Sequence, residues 1–205
     1  MISRRRWLAS ATLAALLCVG RTAVAAELEV AAPTVAVAAI VAATAGPGGQ
    51  ITIDASLGAA ELRIAGAVVD VRGTILLKGD PAAQRRFLDD PRNAAKLGAS
   101  VRRALAAAYP ERAAEFEANH RAWSRTFARD VLQWSARLER ASVRGQRLRD
   151  AYQRIYLLEW AGATIDAAAP STGPAALASL PDAPRAADLT GYRDYVDALV
   201  AALAP

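Results

Sequence analysis

The side chains able to do chemistry are few and scattered. The chain has one His, His120, and one Cys, Cys18. A tight zinc site needs about four N, S or O ligands around the ion, so His120 with no second imidazole cannot close one. A Ser-His-Asp triad would have to use His120 as its base, and nothing in the sequence marks a nucleophile elbow. His120 follows Phe116 by four and precedes Trp123 by three, at the edge of an apolar stripe, which reads as a hydrogen-bonded interface histidine. Asp89 and Asp90 could form a carboxylate pair, but an Asp before Pro91 is the ordinary cap of a helix. Gly46-Pro47-Gly48-Gly49 lacks the Lys of a phosphate loop and reads as a helix-to-strand turn. Trp123 and Trp134 lie eleven apart, about three helical turns, and read as core rather than as a ligand cage. This inventory names no catalytic residue, no metal ligand and no cofactor, and we read the chain as a non-enzyme.

The amino terminus carries a different signal. Arg4, Arg5 and Arg6 precede an uncharged run from Trp7 to Gly20, and small residues follow at Ala23, Val24, Ala25 and Ala26. That is the order of an export signal, cut after Ala25 or Ala26. Ser3-Arg4-Arg5-Arg6-Trp7-Leu8 resembles the twin-arginine consensus, with Trp7 where Phe is usual. Leu8 to Val19 is too short to span about 30 Å of hydrocarbon, and Cys18 follows Leu17 rather than the small residue lipidation requires. The expected mature protein is periplasmic, without a membrane anchor, a disulfide or a thiol.

Cleavage also changes the charge. Of 25 Lys and Arg, four (Arg4, Arg5, Arg6, Arg21) leave, against none of the 20 acidic residues, so the mature chain is nearly neutral. Residues 85 to 154 hold 16 basic and 8 acidic residues. In an exported protein we read this as a solvated helix face rather than a nucleic-acid surface.

The elements that must position these groups follow from pattern. Leu28 to Ala32 ends at Pro33 and reads as a buried strand. Thr34 caps a small apolar helix through Val35, Ala38, Ala39, Val41 and Ala42, and Gln50 to Ala55 is a second strand. Strand, helix, strand is the unit of a parallel α/β sheet. Glu61 to Lys78 holds more strand-like material, especially 67–71 and 74–77. Asp90-Pro91 starts a helix running to Tyr109. Phe116, Trp123, Phe127, Val131, Trp134 and Leu138 are spaced 7, 4, 4, 3 and 4, the stripe of a long helix over 110–141, about 40 Å in length. Residues 146–162 place Leu148, Tyr152, Ile155 and Tyr156 on one helical face, with Gly162 as stop. Ala163 to Ile165 reads as a short strand, 167–187 as a loop, and Tyr192 to Leu203 as a terminal amphipathic helix.

In this order the segments resemble the periplasmic solute-binding proteins of zinc and manganese ABC transporters, the ZnuA/TroA-like family. Leu88-Asp89-Asp90-Pro91-Arg92-Asn93-Ala94 is similar to the family's Leu-Asp-Pro-Arg-Asn segment. Tyr109 to Asn119 is similar to the Pro-Glu-x-Ala-x-x-Tyr-x-x-Asn that opens its long spine helix. Arg144 to Arg147, Tyr156 to Gly162 and the closing Tyr192 to Leu203 extend the likeness. The resemblance implies a reduced two-lobed α/β fold: signal peptide 1–26, amino-terminal lobe 27–109, spine helix 110–141 and a reduced carboxy-terminal lobe 142–205. It implies a role in metal transport, with an ABC transporter permease or a companion binding protein as partner. The family holds its ion with about three His and one acidic residue. Here the His before the Asp-Pro-Arg-Asn segment falls at Ala82 or Arg86, and the later one at Ala151 or Tyr152, so the metal site is expected to be lost. The alternative expectation is a helix-rich periplasmic interaction protein that uses the aromatic stripe to pair with a partner helix.

Overall fold

A computed structural model describes residues 27–150 and 152–204. The export-signal residues Ser3, Arg4, Arg5, Trp7, Leu8, Ala23, Ala25 and Ala26 lie outside the described residues, as does Ala151.

The fold is mixed α/β. Strand β1 (Leu28–Ala32) leads through Pro33 to helix α1 (Val35–Ala45), and β2 (Gly49–Ile53) returns parallel to β1. Thr34 caps α1, its Oγ1 accepting from the Val37 N–H at 3.2 Å. Gly46 ends the helix with φ of 78°, its N–H on the Ala42 carbonyl. A side chain there would also meet the Asn119 amide at 2.4 Å, so glycine is required twice over. Strands β3 (Glu61–Ile64) and β4 (Ala67–Asp70) form a hairpin antiparallel to β1, giving the sheet order β2-β1-β3-β4. The two hairpin residues, Ala65 and Gly66, both take positive φ, as the right-handed twist of such a tight connection demands.

The sheet is covered on one face. Leu28, Val30, Ala32, Leu62 and Ile64 point into the core, whereas Glu29, Gln50, Val68 and Asp70 on the other face are exposed. Helix α1 has no polar face and is enclosed, with β1 and β2 on one side and three further helices around it. These are α3 (Arg92–Ala108), α4 (Ala113–Leu138) and α6 (Leu189–Leu203); the short α2 (Pro81–Gln84) precedes them and α5 (Ile155–Trp160) lies between α4 and α6.

Helix α4 spans 26 residues, about 39 Å, entered through a 3₁₀ turn at Pro110–Arg112. Its stripe is buried inside the chain: Phe116, Trp123, Phe127, Trp134 and Leu138 are all core. Trp123, Phe127 and Trp134 meet edge to face at 5.7 and 5.6 Å, and Phe127 stacks on Tyr192 of α6 at 5.8 Å. Each buried indole N–H finds an acceptor, Trp123 at Thr44 Oγ1 (3.3 Å) and Trp134 at Asp197 Oδ1 (2.9 Å). The aromatic stripe is therefore packed within the chain itself.

Two expectations change. Residues 74–77 form no strand; Ile75 turns inward after a backbone bond to Arg72, and Leu76 is exposed. Residues 146–162 are not one helix. Arg147–Leu148 is instead strand β5, parallel to β6 (Thr164–Ile165), and Gln153 takes a φ of 56° that no helix tolerates, so α5 begins only at Ile155. The buried apolar side chains form one cluster from Leu28 to Leu203.

Candidate functional site

The expected carboxylate pair is split by the backbone. Asp89 ends a 3₁₀ turn (Phe87–Asp89) pinned by the Asn93 side-chain amide on the Phe87 carbonyl, and it points into the protein. Asp90, largely buried, turns the other way: two residues before α3, it accepts the Arg92 N–H at 3.0 Å and pairs with the Arg92 guanidinium, while Pro91 takes the cap position and no side chain caps the helix, so Asp90 is not the cap expected from sequence.

Asp89 meets Arg154 and Tyr195, three groups from distant segments. Asp89 and Arg154 are each 2 % exposed. Arg154 donates from Nη1 to Asp89 at 2.9 Å and to the Tyr195 hydroxyl at 3.0 Å, and from Nη2 to the Pro181 carbonyl at 2.7 Å. The Tyr195 hydroxyl donates in turn to Asp89. Burial pushes the Asp89 carboxyl up, against the pull of Arg154 and the Tyr195 hydroxyl, and burial also pushes the Tyr195 phenol far up. With every group paired, this triad is a structural tie between the 3₁₀ turn, the segment before α5, the 180–182 segment and α6.

A cleft of about 250 Å³ opens beside the triad. Its walls include Thr34 at the start of α1, Ala82, Arg85 and Arg86 around α2, Gln153, and Asp182 to Pro184, with Asp89 and Tyr195 at its base. The cleft adjoins the carboxyl ends of β1 and β2, the usual place for a ligand in an α/β sheet. Arg85 is spread across three backbone carbonyls that follow the two strands: Pro33 at 3.2 Å, Ala55 at 2.6 Å and Leu57 at 2.9 Å. Among the described residues it forms no ion pair. Arg86 donates to Asp182 Oδ1 at 2.8 Å, and that carboxyl is held below its ordinary value by the Arg86 guanidinium.

Ala82 and Arg86, the alternative positions of the histidine expected before the Asp-Pro-Arg-Asn segment, both line this cleft; of the later position, Tyr152 is not in the lining, but its neighbour Gln153 is. Residues 82 and 153 are thus brought together across the fold. The side chains present do not fit a divalent cation: Ala82 has no donor atom, and Arg86 carries a fixed positive charge with no lone pair to give. Among the described residues no group of three His, Cys, Asp or Glu is placed to hold a metal ion.

The other sequence candidates stay apart from the cleft. His120 lies edge-on to Trp123 at 5.5 Å, its Nε2 buried without a partner, and burial followed by the charge of Arg102 lowers its pKa. Glu117 is close enough to oppose that shift, but among the described residues no hydrogen-bond partner meets the His120 Nε2. Gly46-Pro47-Gly48-Gly49 follows the carboxyl end of α1, the negative pole of the helix, which repels a phosphate. Arg154, Tyr195, Arg85 and Asp182 were missed by the sequence reading. Arg154 is one of 16 basic residues between 85 and 154, and only its place immediately before the apolar Ile155-Tyr156-Leu157-Leu158 hints at burial.

No described helix is long and apolar enough to cross a membrane. Comparison with family models, with curated proteins and with solved structures finds no match to this chain.

Proposed function

We propose that this chain is an exported, reduced relative of the zinc and manganese binding proteins of ABC transporters, keeping the place of the ligand cleft but not the metal ligands. One observation carries the reading. Ala82 and Arg86, where the resemblance puts one ligand, and Gln153, the neighbour of the Ala151 or Tyr152 where it puts another, line the same cleft although the chain separates them by a long helix. What remains of the second lobe has folded down onto the first, which accounts for the single core. The protein acts beside a permease or a companion binding protein as an accessory to uptake rather than as the carrier of the bare ion, and the export signal at Ser3 to Ala26 delivers it to the periplasm.

Two measurements test this. A strain lacking the gene should accumulate less zinc or manganese under chelator limitation, restored by the intact gene; unchanged uptake at every metal level would refute the transport role. Calorimetry on the protein should give no one-to-one zinc or manganese isotherm tighter than about 10 μM, since one imidazole and pre-engaged carboxylates cannot supply a closed shell. A nanomolar isotherm would show that a metal site exists and that the loss of ligands was misread.

A further inference from the structure

We infer that the cleft is a binding site for a small organic carboxylate, and that the chain's own Asp182 occupies the carboxylate position when no ligand is bound. The inference rests on the reading of this cleft as the retained ligand site and adds the ligand class.

The charge of the walls favours an anion. Arg85 and Arg86 both line the cleft, and Arg154 reaches within 3.6 Å of the Asp182 carboxylate in its wall. The carboxylate that balances Arg154 is Asp89, which is fully enclosed and committed to Arg154 and Tyr195. Arg85 has carbonyl partners only, so its full positive charge is left at the wall. Among the described residues Arg86 forms its one ion pair with Asp182, and Asp182 also comes within 3.6 Å of Arg154 Nη2.

Asp182 behaves as a stand-in for a ligand. Its side chain is 84 % exposed and reaches in from a proline-flanked loop residue rather than from a packed helix. It uses one oxygen on one guanidinium nitrogen, where a free carboxylate can use both of its oxygens as a fork. An exposed pair of this kind is weakly held, so exchange for a free carboxylate is open. The Asp182 carboxyl is followed by Ala183 and Pro184, which with Ala36, Ala82 and Leu88 give the cleft an apolar lining beside the cations. A volume below the roughly 300–1,000 Å³ of drug-sized sites suits a short carbon chain bearing carboxylates, not a nucleotide or a peptide.

The test is calorimetry and thermal shift on the purified protein with succinate, citrate, inorganic phosphate and sulfate, at constant ionic strength. Succinate or citrate should bind one to one, and Asp182→Asn should tighten it about tenfold by removing the internal competitor. Arg86→Gln should weaken it about tenfold or more, with folding checked by circular dichroism. Because Asp182 is exposed, Asp182→Asn keeps the test alive if Arg86→Gln fails to fold. Unchanged affinity in Asp182→Asn, no carboxylate binding in the wild type, or phosphate and sulfate binding as tightly as the carboxylates would each overturn the inference. The uptake phenotype of the deletion strain is read separately, so the transport role and the carboxylate site can fail independently.

Discussion

The tie between Asp89, Arg154 and Tyr195 yields the most demanding prediction, because its parts are buried, charged and far apart in sequence. Replacing Asp89 by Ala leaves the Arg154 guanidinium, 2 % exposed, with one hydroxyl and the strap carbonyls but no countercharge. Breaking one side of a buried pair costs about 3–5 kcal/mol, a large share of the roughly 5–15 kcal/mol that holds a domain folded. Arg154→Met should differ in kind. The orphaned group is then a carboxyl that burial already pushes up, and it can escape by taking a proton. A raised folded pKa gives stability that is full below the unfolded value and lost as pH rises through the folded value, so Arg154→Met should approach wild type in acid and fall behind as pH increases. The double variant Asp89→Ala/Arg154→Met removes both charges and should recover about 2 kcal/mol or more relative to the sum of the single changes. Urea denaturation of the four proteins at several pH values measures all of this through midpoints at constant slope. Additive losses with no coupling, or single-variant costs below about 0.5 kcal/mol, would refute the claim that a buried ion pair ties these segments.

Three further outcomes are expected. Trp123→Ala and Trp134→Ala should each destabilise the monomer by about 3–5 kcal/mol in denaturant melts, whereas Leu132→Ala, on the exposed side of α4, should stay within about 0.5 kcal/mol. Near wild-type melts for both Trp variants would mean that the stripe packs elsewhere. Because the His120 pKa is lowered in the fold, stability should decline as pH drops below the ordinary 6.5 toward the folded value, and His120→Gln should remove that part of the decline; an unchanged acid limb in the variant would assign it to other groups. Replacing Arg4 and Arg5 together by Lys should block periplasmic accumulation if the twin-arginine route is used, and normal accumulation would move the protein to the general route.

The elements legible in the sequence are those whose signals are local. Thr34 before an apolar run, Gly46 after it and the β-branched run from Ile51 fixed β1, α1 and β2, because cap, stop and propensity agree there. The stripe from Phe116 to Leu138 repeats over enough turns for its burial to be read directly. Residues 146–162 misled because the same apolar spacing serves two purposes: Leu148 is placed by its ladder with Ile165, and Tyr156 by a helix that begins only after the turn at Gln153. Thr74 to Leu77 carries strand-like residues, but a strand needs a neighbour, and β4 leaves Ile75 to fill the core instead. The candidate site was hidden for a further reason. Asp89, Arg154 and Tyr195 are separated by 65 and 41 residues, and no spacing rule links a 3₁₀ turn to a pre-helical arginine and a terminal helix.

How the cleft could admit a ligand follows from the same contacts. A binding protein of two hinged lobes closes by rotating one core against another. Here α1 packs against α3, α4 and α6 at once, and the buried side chains run without interruption from Leu28 to Leu203, so lobe rotation would tear the core open. The parts of the wall that can move at lower cost are those held by few bonds. The segment from Leu180 to Asp182 is fastened at two arginines, Arg154 through the carbonyls of Leu180 and Pro181, and Arg86 through Asp182. Arg154 is itself locked by Asp89 and Tyr195, whereas the Arg86 contact is exposed and consists of one bond to the Asp182 carboxylate at 2.8 Å and a long one to its carbonyl at 3.5 Å. Release therefore begins at Asp182 and stops at Pro181, a local opening of the strap with the tie beneath it intact. If a carboxylate displaces Asp182, the element that moves is the tip of this strap rather than a domain, and the buried triad of Asp89, Arg154 and Tyr195 sets where the motion ends.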